Sequence, residues 1–283
     1  MKRHLKGVLK TISIMTIAVT ALAVQAPATH SKVPAKGGGT DVKSVLEEIK
    51  GSNFRVAFDV SHGEIFSPVE EGPLNYSTFY RRFREAGAEL FLNRQPVTSE
   101  ALSNFDAYVI AGPTQEFTDK EIAAMQGYIH GGGRLLVLLH IASPVARLTE
   151  AFGVVVSNHV ISEETDMIKG QSQDFFVSRF SPHPVTDGLK KIAVFGTWGL
   201  MADHNARVVA ETSDKAWADL NRNRAHDKDE PSAAFGIVAV SEPGAGRVAV
   251  VADDAPFANL FIESADNKTL ANNIIKWFKK PQG

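Results

Sequence analysis

The sequence predicts an α/β fold, a three-layer sandwich with a mostly parallel sheet, and three observations carry that prediction. Short apolar runs rich in Val, Ile, Leu and Phe recur from residue 54 onward without polar alternation, as strands buried on both faces require. Segments with apolar residues three and four apart lie between them, the pattern of one-sided helices. Gly or Pro closes most elements, which marks where each one turns.

The elements follow in order. Phe54 to Asp59 is a first buried strand. A helix from about Tyr76 to Ala86 puts Tyr76, Phe79, Tyr80 and Phe83 on one face, and Gly87 ends it. Strands follow at Glu89 to Leu92 and Asp106 to Ala111, the latter stopped by Gly112-Pro113. A helix from Asp119 to His130 turns Ile122, Met125 and Ile129 inward and ends at Gly131-Gly132-Gly133. Arg134 to His140 is the most hydrophobic strand, and Ser143-Pro144 then opens another helix as N-cap and first-turn proline. The second half is richer in strands: Phe175 to Ser178, Ile192 to Phe195, Arg207 to Glu211, Ala234 to Val240 and Arg247 to Ala252. Gly244-Ala245-Gly246 pairs the last two closely. A closing helix, about Lys268 to Lys279, buries Leu270, Ile274, Ile275 and Phe278.

Ahead of the domain stands an address. Lys2, Arg3, Lys6 and Lys10 precede an apolar run from Thr11 to Val24, with Val24-Gln25-Ala26 as a cleavage signal, so residues 1–26 read as a secretory leader. The run is shorter than the ~20 residues that cross a bilayer, and only an uncleaved leader would hold the chain to a membrane. Residues 27–45, with Gly37-Gly38-Gly39, read as a flexible linker, and residues 46–283 as a single domain. The protein is therefore expected to be exported, periplasmic or secreted. Losing the leader removes four basic residues and no acidic one, taking the formal charge from -2 to -6. That balance argues against nucleic acid as a partner, because phosphates demand an excess of Lys and Arg. With no cysteine, the chain has no disulfide, no thiolate-held metal and no cysteine nucleophile.

Several phrases, in their order, resemble a known group: FDVSHGE (58–64), YIHGGGRLLVL (128–138), LTEAFGV (148–154), HPVTDGL (183–189), GRVAVVADDAPFAN (246–259) and DNKTLANNIIKWF (266–278). The resemblance is to an exported domain-of-unknown-function group of the class I glutamine amidotransferase-like superfold, related to GIFT and ThuA-like domains. It implies a flavodoxin-like sheet. Glutaminases of that superfold carry a cysteine on a strand–turn–helix elbow. Here the elbow reads Ile141-Ala142-Ser143-Pro144, with neither cysteine nor G-x-S-x-G, so glutaminase chemistry is excluded.

Ligands of open α/β sheets bind at the carboxyl ends of the parallel strands. Asp59, His62 and Glu64 follow the first strand and Thr114 the third, while His140 ends the fourth. Asp253, Asp254 and Asn259 follow the strand 247–252. These eight are the candidate ligand-binding residues, and Asp, His and Glu within six positions are also suited to a divalent metal. A second constellation is the twelve-residue stretch Asp219 to Glu230. It sets Asp219, Asn221, Asn223, Asp227 and Glu230 at positions 1, 3, 5, 9 and 12 of a calcium loop, although Arg224 stands where such a loop needs glycine.

The expected function is a non-catalytic binding or accessory domain taking a small molecule, a glycan or an envelope protein at this rim. A metal-assisted hydrolase using the Asp/His/Glu groups is the alternative. Calcium is the cofactor the sequence offers.

Overall fold

The computed structural model describes residues 54–280, apart from Ala142 and His204. The leader at 1–26 and the linker at 27–45 lie outside the described residues. Among the described residues no helix is long and apolar enough to cross a membrane.

The strands are β1 (Arg55–Asp59), β2 (Glu89–Asn93), β3 (Ala107–Ala111), β4 (Arg134–Leu138), β5 (Val154–Ser162), β6 (Met167–Ile168) and β7 (Gln171–Val177). They continue as β8 (Arg179–Phe180), β9 (Ile192–Phe195), β10 (Trp198–Ala202), β11 (Ala206–Glu211), β12 (Trp217–Asp219), β13 (Gly236–Ser241) and β14 (Arg247–Val251). Among the described residues they are joined by the α-helices α1 (Ser77–Glu85), α2 (Ser99–Leu102), α3 (Asp119–His130), α4 (Ala146–Glu150) and α5 (Asn267–Lys279).

The large sheet runs β12-β5-β10-β13-β14-β4-β3-β1-β2. From β14 to β2 every pairing is parallel. From β14 the other way, through β13, β10, β5 and β12, every pairing is antiparallel. The sheet is thus mixed where the sequence predicts mostly parallel. Between β13 and β14 the physical reason is the tight turn at Gly244, which returns the chain directly where a parallel neighbour would need a long crossover. β11 also pairs with β13 and carries β8, while β6, β7 and β9 form a separate three-stranded sheet.

Alternate residues of the parallel strands enter two different cores, as the two-residue period of a strand dictates. Val56, Phe58, Val109, Leu136 and Leu138 pack with Phe79 and Phe83 of α1 and with Leu270, Ile274 and Phe278 of α5. Ala57, Tyr108, Ile110, Leu135 and Val137 pack with Ile122, Met125 and Ile129 of α3 and with Leu148 of α4. The faces read from spacing are the faces buried. Helix α3 begins at a capping box, with the Thr118 side chain on the Glu121 amide and Glu121 bonded back to the Thr118 N–H.

Two local expectations differ. β4 ends at Leu138, two residues short, so His140 sits beyond the strand. Ser143 does not cap a helix: α4 starts at Ala146, and the Ser143 hydroxyl instead accepts the His140 amide at 2.9 Å.

Candidate functional site

The carboxyl ends of the parallel strands carry two polar clusters, and the loop after β3 touches both. The first is built on the turn after β1. Asp59 Oδ2 meets His62 Nδ1 at 2.6 Å, while its Oδ1 accepts the Ser61 hydroxyl at 2.7 Å and the Tyr108 hydroxyl at 3.0 Å. His62 Nε2 faces Glu121 at 3.3 Å, and Phe117 stacks on the imidazole at 3.8 Å. Asp59 and His62 are both buried. Burial works to raise the Asp59 carboxyl, yet the bonds from His62, Ser61 and Tyr108 outweigh it and hold the group below its usual value. Burial likewise works to lower His62, and Asp59 overrides it upward. Glu64 accepts the His62 amide through Oε2, while its Oε1 is buried without a partner. Burial first, and then the charge of Asp59, push Glu64 up to about 7. Donor atoms of Asp59, His62 and Glu64 lie within 4.8 Å of one another, which is the spacing of a metal ligand set.

The second cluster opens outward. His140 Nδ1 lies 3.1 Å from Asp254 Oδ1, and the Tyr76 hydroxyl donates to Asp254 Oδ2 at 2.6 Å. Asp253 beside it accepts the Phe195 amide at 2.6 Å and the Ala255 amide at 2.9 Å. Tyr76, Asp253 and Asp254 are buried, whereas the His140 side chain keeps 27% of its surface exposed. The bond to Asp254 raises the imidazole above its ordinary value, against burial. Burial, with the Asp254 charge, lifts both the Asp253 carboxyl and the Tyr76 hydroxyl well above theirs. These groups line a cavity of about 160 Å³ whose walls include Phe66, Leu74, Ile141, Phe195 and Phe261.

Gly112 makes the close approach workable. Its φ is +62°, and a Cβ there would fall 2.8 Å from Asp254 Oδ2 and 3.2 Å from the His140 Cβ. Two residues on, the Thr114 hydroxyl donates to the Gly63 carbonyl at 2.7 Å, bracing the first cluster.

Of the eight rim residues, His140, Asp253 and Asp254 therefore surround the cavity, and Asp59, His62 and Glu64 form a separate group. Thr114 and Asn259 act as braces: Asn259 Oδ1 accepts the Thr78 amide at 2.8 Å, and its Nδ2 donates to Gly72 O at 2.8 Å. Sequence reasoning missed Tyr76 as a polar group, along with Phe66, Leu74, Phe195 and Phe261. Tyr76 was legible only as an apolar helix position.

The stretch Asp219–Glu230 is held by bonds within itself and by bonds from Ser172 and Gln173 of β7. Asp219 accepts the Asn223 and Arg224 amides at 3.1 Å each and Gln173 Nε2 at 3.0 Å. Asn221 and Asn223 donate to Asp227 Oδ2 at 2.7 and 2.6 Å. Glu230 accepts the amides of Leu220 and Asp227 at 2.8 and 3.0 Å. Arg224 adopts φ +63°, the left-handed conformation that glycine usually supplies at that position.

The sequence profile of a family described as a domain of unknown function (DUF4350) matches residues 70–275. No curated protein sequence matches the chain. Among solved structures, the mmIFT52 N-terminal domain superimposes with a TM-score of 0.66 at 17% identity, covering 81% of this chain and 99% of that one. A cytoplasmic protein of Salmonella typhimurium LT2 does so with 0.53 at 17%, covering 80% and 100%. A Bacteroides uniformis protein described as ThuA-like gives 0.51 at 15%, covering 89% and 98%. At these identities the likeness is one of fold.

Proposed function

The chain belongs to the DUF4350 family, and from that premise we propose that it is an exported accessory domain that binds a small molecule at the carboxyl-terminal rim of its sheet. One observation carries the reading: an apolar cavity that His140 helps to line, with its ring held by the buried Asp254. Apolar walls with a few convergent polar groups are the usual make-up of a ligand site. Export is supported by the basic and apolar pattern of residues 1–24. A flavodoxin-like, three-layer relation to the amidotransferase-like superfold and to GIFT and ThuA-like domains is supported by the strands buried on both faces and by the mmIFT52 and ThuA-like superpositions. A non-catalytic role is supported by the missing cysteine and by a Ser143 hydroxyl that serves the His140 amide. The test is a thermal-shift screen of small fragments against the wild type and two cavity-blocking variants, Ala255→Phe and Leu74→Trp. Fragments that stabilise the wild type alone support the reading. Equal shifts in all three proteins, or none in the wild type, reject it.

A metal-assisted hydrolase is the second reading, favoured by the converging donors of Asp59, His62 and Glu64. A calcium-stiffened loop at Asp219–Glu230 is favoured by the left-handed Arg224. One set of melts addresses both. A Zn²⁺ or Mn²⁺ stabilisation lost in Glu64→Gln supports the former, and a Ca²⁺ stabilisation lost in Glu230→Gln the latter; flat melts dismiss them.

A further inference from the structure

We infer that the cavity at the rim takes an uncharged hydroxyl compound, a small aromatic or branched aliphatic alcohol, whose O–H donates to His140 Nε2. This rests on the reading of the cavity as a ligand site.

Size comes first. A dry cavity of ~150 Å³ lined by apolar side chains holds one benzene ring, and the space beside His140 is about 160 Å³. The walls contributed by Phe66, Leu74, Phe195 and Phe261 suit a ring or a branched chain of that bulk.

The polar group follows from what is already committed. Both oxygens of Asp254 are taken, one by Tyr76 and one by His140 Nδ1. A carboxylate oxygen accepts, so Nδ1 carries a proton, and in alkaline solution, above the range to which Asp254 raises the imidazole, the neutral ring presents a lone pair at Nε2. No described residue bonds Nε2. An O–H donor from the ligand completes that ring without moving any group already paired.

The two charged alternatives fit less well. An anionic head would enter beside the Asp254 carboxylate, with apolar walls on the other sides to strip its water. A cationic head would have to share Asp254 with Tyr76 and His140, and Asp253 with the Phe195 and Ala255 amides. A purely apolar ligand would leave Nε2 desolvated and unpaired, which is costly.

The experiment uses four probes of one shape, benzyl alcohol, toluene, benzoate and benzylamine. Each is titrated by calorimetry and by ¹⁵N-histidine NMR at pH 8 against the wild type, His140→Phe and Ala255→Phe. Benzyl alcohol is expected to bind about tenfold tighter than each of the other three, the worth of one hydrogen bond, and to shift the His140 Nε2 resonance. In His140→Phe the alcohol is expected to fall to the level of toluene. Equal affinity for alcohol and toluene, or tighter binding of benzoate or benzylamine, overturns the inference and leaves the cavity as a ligand site. No binding by any probe, or binding indifferent to Ala255→Phe, overturns the inference together with the site on which it rests.

Discussion

Asp254 holds the ring of His140 through Nδ1 at 3.1 Å, joining residues 114 positions apart at the ends of two neighbouring parallel strands. The bond raises the imidazole. Asp254→Asn should therefore lower the His140 value, which ¹⁵N-histidine NMR titration reads directly. A folded-state value raised above the unfolded 6.5 contributes stability that is complete below 6.5 and disappears as pH rises through the folded value. The stability gap between wild type and Asp254→Asn should accordingly be wider at pH 5.5 than at pH 9 in denaturant melts.

Gly112→Ala should disturb the same cluster from beneath. The new methyl meets Asp254 Oδ2 at 2.8 Å in a backbone of φ +62°. A loss of about 1–3 kcal/mol is expected from the left-handed strain and the forced shift. Urea unfolding measures it, and the His140 resonances should move with it.

Glu64→Gln should stabilise the protein, and do so in alkaline solution. With a folded value of about 7 against 4.5 unfolded, the native state holds its proton longer, so this residue's contribution declines as pH climbs from 4.5 through 7. Glutamine has no charge to bury. The gain should be on the order of 1–3 kcal/mol at pH 8 and small at pH 5, compared by melts at both values.

Glu230→Ala should loosen the stretch it closes. Its carboxylate accepts the amides of Leu220 and Asp227, and losing both bonds should cost about 1–2 kcal/mol. Trypsin should cut faster after the exposed Arg222 and Arg224, a change visible by mass spectrometry before any shift in the global melt.

The first half of the fold was legible because its strands are continuous apolar runs and its helices carry clean stripes. β5 and β10 were not. Val154–Ser162 lies half-exposed between neighbours, and its Ser-Asn-His centre breaks both the strand and the helix patterns. The candidate site was legible by position: Asp253, Asp254 and His140 end adjacent strands, and the rule for open sheets points there. What those residues do to one another was hidden. Tyr76 reads as a core aromatic because its partner stands 178 positions away. His62 reads as a rim donor, and only the fold shows Phe117 lying on it and Glu121 behind it.

The place of β14 bears on how the molecule comes together. This strand, formed from residues 247–251, lies between β4 and β13 and is the seam between the parallel and antiparallel halves of the sheet. Neither half can be zipped to the other until residues 247–251 are in place. Pairing that waits on such distant segments is slow, since loop closure must precede the contacts that reward it. A chain emerging in order from its amino end would hold its halves apart, unable to lock prematurely, and would close in a late step when β14 slides into the central gap.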